Sequence, residues 1–154
     1  MKKKIFVALD YNSLEKALDT SKKIKDQIAG VKIGTELYAV CGLKGLQKFK
    51  EIGVKIFLDL KLHDIPNQVK KTVSAIDQLK CADYLTIHMS GNYDMIKAAK
   101  DATTTTELLG VTVLTSESNL EGIGIKNNVN DQIKLLVNLG VKAGISGVIA
   151  SAQD

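Results

Sequence analysis

The 154-residue sequence predicts an α/β fold, a parallel (β/α) barrel of which the first six β/α units are present. Two observations point to it. Short apolar runs alternate with longer helical patterns from end to end, with no run of consecutive strands, as in a parallel sheet covered by helices. Alternation alone would equally allow an open doubly wound sheet. Several strand patterns, however, turn polar only at their carboxyl ends; a barrel gathers such groups at one mouth, whereas an open sheet spreads them along a line.

The first strand is read over Lys4–Leu9 and ends against Asp10. A helix over Ser13–Ile28 follows, with Leu14, Ala17, Leu18, Ile24 and Ile28 at helical period and Asn12-Ser13 as its N-cap. The second strand, Val31–Gly34, carries Lys32, and the second helix, Glu36–Ile52, closes on Gly53. The third strand, Val54–Leu60, runs into "FLDLKLHDIP" (Phe57 to Pro66), and Pro66, the only proline, opens a helix over Asn67–Lys80 at its first turn. The fourth strand, Tyr84–His88, ends in Thr86 and His88; the helix after it, Tyr93–Thr103, is stopped by the β-branched run Thr103–Thr106. Thr115 follows the fifth strand, Leu108–Leu114. The last helix, Asn130–Leu139, sets Ile133, Leu136 and Val137 at helical period with Gly140 as its cap, and the sixth strand is Gly147–Ala150. Residues 1–154 read as one domain, long enough to bury a sizeable core.

Composition narrows the function. Hydrophobic residues make up 45% and charged residues 25%, a globular balance rather than a disordered one. The net charge of +4 comes with 21 lysines, scattered along the chain, and no arginine. A nucleic-acid reader would use Arg for bidentate contacts to guanine edges and phosphates, so no nucleic-acid partner is expected. Met1-Lys2-Lys3-Lys4 resembles the start of a signal peptide, but Asp10 interrupts the apolar Ile5–Leu9 too soon. No stretch is long enough to span a membrane, so no membrane partner and a cytoplasmic location are expected. Cys41 and Cys81 lack CxxC spacing, and two buried free thiols are expected; no metal site or cofactor is indicated. His88 reads as a hydrogen-bonded structural histidine, and Tyr84 and Tyr93 as packing residues. Gly122-Ile-Gly124 is half a dinucleotide fingerprint, outside any strand-to-helix turn.

In the third strand Ile56, Leu58, Leu60 and Leu62 alternate on one side, and Phe57, Asp59, Lys61 and His63 on the other. The first strand likewise puts Phe6, Ala8 and Asp10 on one face. Ionised groups taken into an interior are costly unless paired. Asp59 and Lys61, two apart, can approach each other, and Lys32 on the neighbouring strand is a natural third member. A solvated edge strand or a structural ion-pair network would also account for the charges. Their concentration at strand ends points instead to a site.

Asp59, Lys61, Asp64, Ile65 and Pro66, spaced Asp-x-Lys-x-x-Asp-Ile-Pro, resemble the signature of the orotidine 5'-phosphate decarboxylase family. "VALD" ending at Asp10, "VKIG" carrying Lys32, "IHMSG" after the fourth strand and "VLTS" containing Thr115 match in order and spacing, so the resemblance covers the whole chain. A bare Asp-x-Lys-x-x-Asp is shared with sugar-phosphate lyases of the same superfamily; the Ile-Pro narrows it. The resemblance implies a TIM-type (β/α)8 barrel and a carboxy-lyase without cofactor, converting orotidine 5'-monophosphate to UMP in pyrimidine biosynthesis. It also implies roles. Asp10 would hydrogen-bond the ribose, Lys32 would hold substrate and the charge network, and Asp59 would lie against the departing carboxylate. Lys61 would protonate C6 of the pyrimidine, and Thr115 would contact the ring. Asp64 and Ile65 would reach into a neighbouring subunit's site, which implies a homodimer with shared active sites. Pro66 and Gln68 complete the substrate-binding set, Gln68 standing where the family usually has threonine.

In the family the phosphate site lies in the seventh and eighth units, on a Gln loop and a Gly-Arg pair. This sequence reaches Ser151-Ala152-Gln153-Asp154 just past its sixth strand. The expectation is therefore a partial barrel with open edges at its first and sixth strands, weak or inert alone: either a complementary chain is a further partner that completes it, or it is a truncated or cleaved product. Two other readings remain at this point. One is a metal-dependent sugar-phosphate decarboxylase or aldolase of the same superfamily; the other is an inert barrel fragment that acts only by binding its complement.

Overall fold

A computed structural model describes residues 4–117 and 119–151; the basic opening Met1–Lys3 and the closing residues 152–154 lie outside the described residues. The elements follow in the order β1 (Phe6–Ala8), α1 (Leu14–Ile24), β2 (Gly30–Gly34), α2 (Thr35–Ile52), β3 (Ile56–Leu62), α3 (Pro66–Gln78), β4 (Tyr84–His88), α4 (Asn92–Lys100), β5 (Glu107–Val111), α5 (Val129–Ala143) and β6 (Gly147–Ile149). Short 3-10 turns occur at Met89–Gly91 and Glu121–Ile123.

Strand order in the sheet equals chain order, β1-β2-β3-β4-β5-β6. A doubly wound sheet reverses its order at a switch point, whereas a barrel never does. The order therefore selects the barrel class. It also removes the edge-strand explanation for the charges of β3, which has β2 on one side and β4 on the other.

The chain forms two compact units, one built from the chain up to Leu60 with Ala75–Leu85 and Thr104–Thr106, the other from Lys61–Ser74, Thr86–Thr103 and the chain from Glu107 onward. In the first unit β1 and β2 pair in parallel with Val7 opposite Val31, and β2 and β3 with Ile33 opposite Leu58. Val31, Ile33, Ile56 and Leu58 are wholly buried, as are Ala17, Leu46 and Phe49 of the helices α1 and α2, which pack together. The alternate residues Phe6 and Phe57 meet Tyr84 in an aromatic cluster, with ring centroids 5.9, 5.5 and 6.3 Å apart. Gly30 is required there, because a Cβ would lie 2.5 Å from the Phe6 ring and 2.6 Å from the Lys55 carbonyl. Asp83 fixes the start of β3: its carboxylate accepts the Ile56 N–H at 2.8 Å and meets Lys50 Nζ at 2.9 Å.

Asp77 supplies the second anchor of this unit. Its two carboxylate oxygens accept from the backbone N–H groups of Thr104, Thr105 and Thr106 and from the hydroxyls of Thr104 and Thr105, at 2.8–3.0 Å. This accounts for much of the threonine run: Thr104, Thr105 and Thr106 wrap one buried carboxylate.

In the second unit β5 and β6 pair in parallel with Gly110 opposite Val148, and α4 and α5 pack together around the buried Met89, Met95, Ile96, Ala99 and Leu136. A Cβ on Gly140 would come within 2.5 Å of the Met89 sulfur and 2.6 Å of Ile145. Gly140 is thus a close-approach residue inside α5, not its cap. The helix continues to Ala143 and closes on Gly144 at φ 83°.

Other boundaries also moved. Helix α1 ends at Ile24 rather than Ile28, because Gln27 N–H turns back to the Ile24 carbonyl and Ala29 N–H joins Ile5. Helix α2 breaks its dihedrals at Gly42, φ 56°. Helix α4 stops at Lys100, and β5 ends at Val111, three residues before the expected Leu114. Ser13 does cap α1, accepting from the Lys16 N–H, and Gly53 closes α2 in the left-handed conformation. Both cysteines are free; Cys81 is buried, but Cys41 is only half-buried, which corrects the expectation of two buried thiols. Among the described residues no helix is long and apolar enough to cross a membrane.

Candidate active site

The first unit brings Lys32 and Asp59 together. Lys32 sits mid-β2 and Asp59 faces Gly34 in the β2–β3 register. The ammonium lies 3.7 Å from Asp59 Oδ2, with the two side chains 29% and 13% exposed. A partly buried pair on interior strands is the arrangement that lets two charges leave bulk water. Gly34 keeps the approach open, since a Cβ there would only just touch Lys32 Nζ, at 3.9 Å. Asp10 is exposed, just past the buried Leu9, whose N–H donates to the Lys32 carbonyl at 2.9 Å. A carboxylate at the end of β1 and a Lys–Asp pair on β2 and β3 are thus held by strand hydrogen bonding.

The second unit holds Lys61. Simple alternation along β3 would carry Phe57, Asp59 and Lys61 on one face, but at Lys61 the backbone turns left-handed, φ 48°. The pleat therefore does not set its direction as it does for Phe57 and Asp59. A lysine in this conformation costs about 1–2 kcal/mol relative to the ordinary regions, so the surroundings must hold it. Thr86, wholly buried on β4, accepts the Lys61 N–H at 2.8 Å. Two residues further along each chain segment, the rings of His63 and His88 stack with centroids 5.4 Å apart and planes at 19°.

His88 itself is fixed by Ser90. Its Nδ1 takes the Ser90 N–H at 3.3 Å and lies 2.6 Å from the Ser90 hydroxyl. A backbone N–H can only donate, so Nδ1 is the acceptor and the neutral ring carries its proton on Nε2. Burial lowers the His88 pKa from its ordinary value, and His63 and the Lys61 charge push it the same way. The expected structural histidine is present, and its position beside Lys61 is new.

Asp64 is exposed and its Oδ1 accepts the Ile65 N–H at 2.6 Å. Ile65 projects a side chain that is 63% exposed, and Pro66 is the first residue of α3. Gln68 is exposed; its N–H donates to the Ile65 carbonyl, and its own carbonyl accepts from the Thr72 hydroxyl. Thr115 stands four residues past the end of β5 and lines a small cavity of about 170 Å³ with Val113, Leu114, Glu117 and Ser151. A larger apolar cavity of about 240 Å³ lies beside His88 and Ser90, walled by Leu120, Ile123 and Leu136. Sequence reasoning placed His63 on the polar face of the third strand and Thr86 at the end of the fourth without giving either a role, and passed over Ser90. The signal available was spacing: His63 follows Lys61, and His88 follows Thr86, each by two residues.

The chain matches the orotidine 5'-phosphate decarboxylase / HUMPS family over residues 3–154. It is similar to the orotidine 5'-phosphate decarboxylase of Ehrlichia chaffeensis, 43% identical over 154 residues, covering 97% of this chain and 66% of that protein. The Wolbachia enzyme of the same name from Brugia malayi is 42% identical over 156 residues, covering 97% and 68%. Among solved structures, orotidine 5'-phosphate decarboxylase from Lactobacillus acidophilus superposes with a TM-score of 0.84 at 32% identity, covering 97% of this chain and 71% of that one. The chain spans about two thirds of the length of the curated relatives it matches.

Proposed function

Because the chain belongs to the orotidine 5'-phosphate decarboxylase / HUMPS family, we propose that the protein decarboxylates orotidine 5'-monophosphate to UMP in pyrimidine biosynthesis. The observation that carries this is the Lys32–Asp59 pair on interior strands, 3.7 Å apart, immediately before Lys61 in an Asp-x-Lys-x-x-Asp-Ile-Pro run. Loss of CO2 leaves an electron pair at C6 that the pyrimidine ring delocalises poorly. Stabilisation then has to come from charge already in place. Lys61 supplies the ammonium and delivers its proton to C6, a general-acid step. Asp59 faces the departing carboxylate, and Lys32 offsets the negative charge that accumulates there.

Asp10 binds the ribose and Thr115 the pyrimidine. Asp64 and Ile65 reach a second subunit's site, in keeping with the exposed Ile65 side chain, and Pro66 and Gln68 present that segment. The active unit on this reading is a cytoplasmic homodimer. Substrate phosphate is gripped by the last two β/α units of the barrel, whether in the same polypeptide or in a complementary chain. The activity is tested by following the absorbance of orotidine 5'-monophosphate with and without a chelator. Turnover that survives chelation supports the reading, and turnover lost on chelation points to a metal-dependent sugar-phosphate lyase instead.

A further inference from the structure

We infer that the Thr86 hydroxyl is a positioning residue for Lys61: by holding the Lys61 N–H it locks the left-handed turn at the end of β3, and the His63–His88 stack pins the same segment two residues further on. This rests on the reading of Lys61 as the proton donor and goes beyond it, to what aims the ammonium.

The geometry supports a clamp with two points. Lys61 and His63 are tied in step to Thr86 and His88, one by a hydrogen bond of 2.8 Å and one by a ring stack at 5.4 Å. A non-glycine residue keeps a positive φ only where its surroundings over-determine it. Here φ is 48°, and any relaxation of that angle swings the whole lysine side chain about the backbone. Thr86 is 0% exposed, so water cannot replace its hydroxyl. The second point is rigid for its own reason. Ser90 holds His88 Nδ1 through both its N–H and its hydroxyl, and burial favours the neutral ring. Gly91 leaves room for the stack, since a Cβ there would press within 3.1 Å of the His63 ring. A proton donor that must meet one carbon atom gains from such restraint, because misplacement by about 1 Å can cost on the order of 100-fold in rate.

The test is made on the whole, decarboxylating protein with Thr86→Val, Thr86→Ser and His63→Ala. Thr86→Val keeps the shape and removes the hydroxyl; Thr86→Ser restores it. His63 is exposed, so His63→Ala tests the second pin without opening the core. Two readouts are taken: hydrogen exchange at the Lys61 amide, and kcat and KM for orotidine 5'-monophosphate. Thr86→Val is expected to speed exchange by about fivefold or more, the worth of one hydrogen bond. It is also expected to lower kcat by about 100-fold with KM little changed, and Thr86→Ser is expected to recover both. His63→Ala should lower kcat by a smaller factor. Faster exchange with kcat unchanged would overturn the clamp while leaving the decarboxylase reading intact. A parallel fall in kcat that Thr86→Ser fails to recover would overturn it too. Silence of the unsubstituted protein even when the last two β/α units are supplied is the distinct outcome that sinks the decarboxylase reading, and the inference with it.

Discussion

Lys32 Nζ lies 3.7 Å from Asp59 Oδ2 across two interior strands of a parallel sheet. Parallel strands are ordinarily apolar on both faces. Charges in this position are retained against the cost of desolvation, and the catalytic role proposed for the pair would account for that. Lys32→Ala removes the ammonium 3.7 Å from Asp59, whose side chain is 13% exposed. Because Lys32 is itself partly solvated, the expected loss is about 1–3 kcal/mol in urea unfolding, less than the roughly 3–5 kcal/mol of a fully buried pair. Lys32→Ala and Asp59→Ala combined should cost less than the sum of the two, the signature of a coupled pair.

Asp77 makes a separate, structural prediction. Five donors from Thr104–Thr106 converge on it, and none belongs to the proposed chemistry. Asp77→Ala strands buried N–H groups, each worth about 1–3 kcal/mol when unsatisfied, so the variant should be among the least stable single substitutions. Asp77→Asn, which retains one accepting oxygen, should fall between. Thermal unfolding of the three proteins checks the order.

Gly30→Ala should also destabilise the protein. Its Cβ would meet Phe6 and the Lys55 carbonyl at 2.5 and 2.6 Å, and the second of these is backbone that cannot swing away. Overpacking of this kind costs about 1–3 kcal/mol. Pairing Gly30→Ala with Phe6→Leu should recover only the part due to the ring.

The His63–His88 stack predicts a pH dependence with a definite sign. Burial lowers the His88 pKa from its ordinary value of 6.5, so in the window just below 6.5 the unfolded chain binds more protons than the folded one. Stability therefore falls as pH drops through 6.5 and levels off below the folded pKa. His88→Phe should remove that part of the slope, measured as unfolding free energy between pH 7.5 and about 5.

Much of this is legible in the sequence. Period and punctuation located each strand and helix, and polar strand ends distinguished a barrel from an open sheet, as the strand order then confirmed. Boundaries failed where long-range contacts override local signals. Gly140 looks like a cap in sequence but is a glycine because Met89 and Ile145 press on it, so α5 runs on to Gly144. The threonine run looked like a simple helix stop, and only the fold brings Asp77 to it across 27 residues. The site showed the same division. Lys32, Asp59 and Lys61 could be named from a motif, whereas the left-handed turn at Lys61 and its support from Thr86 depend on backbone dihedrals and cross-strand pairing, which a motif does not carry.

The central claim is that the Lys61 ammonium protonates C6 during decarboxylation. Its most direct test is turnover of orotidine 5'-monophosphate by this chain, alone and supplemented with a polypeptide carrying the last two β/α units of a relative's barrel, each beside Lys61→Ala. The account predicts turnover in at least the supplemented assay and a fall of about 100- to 10,000-fold in Lys61→Ala, the range expected for loss of a general acid. Turnover that persists in Lys61→Ala, or none in either assay, would contradict it.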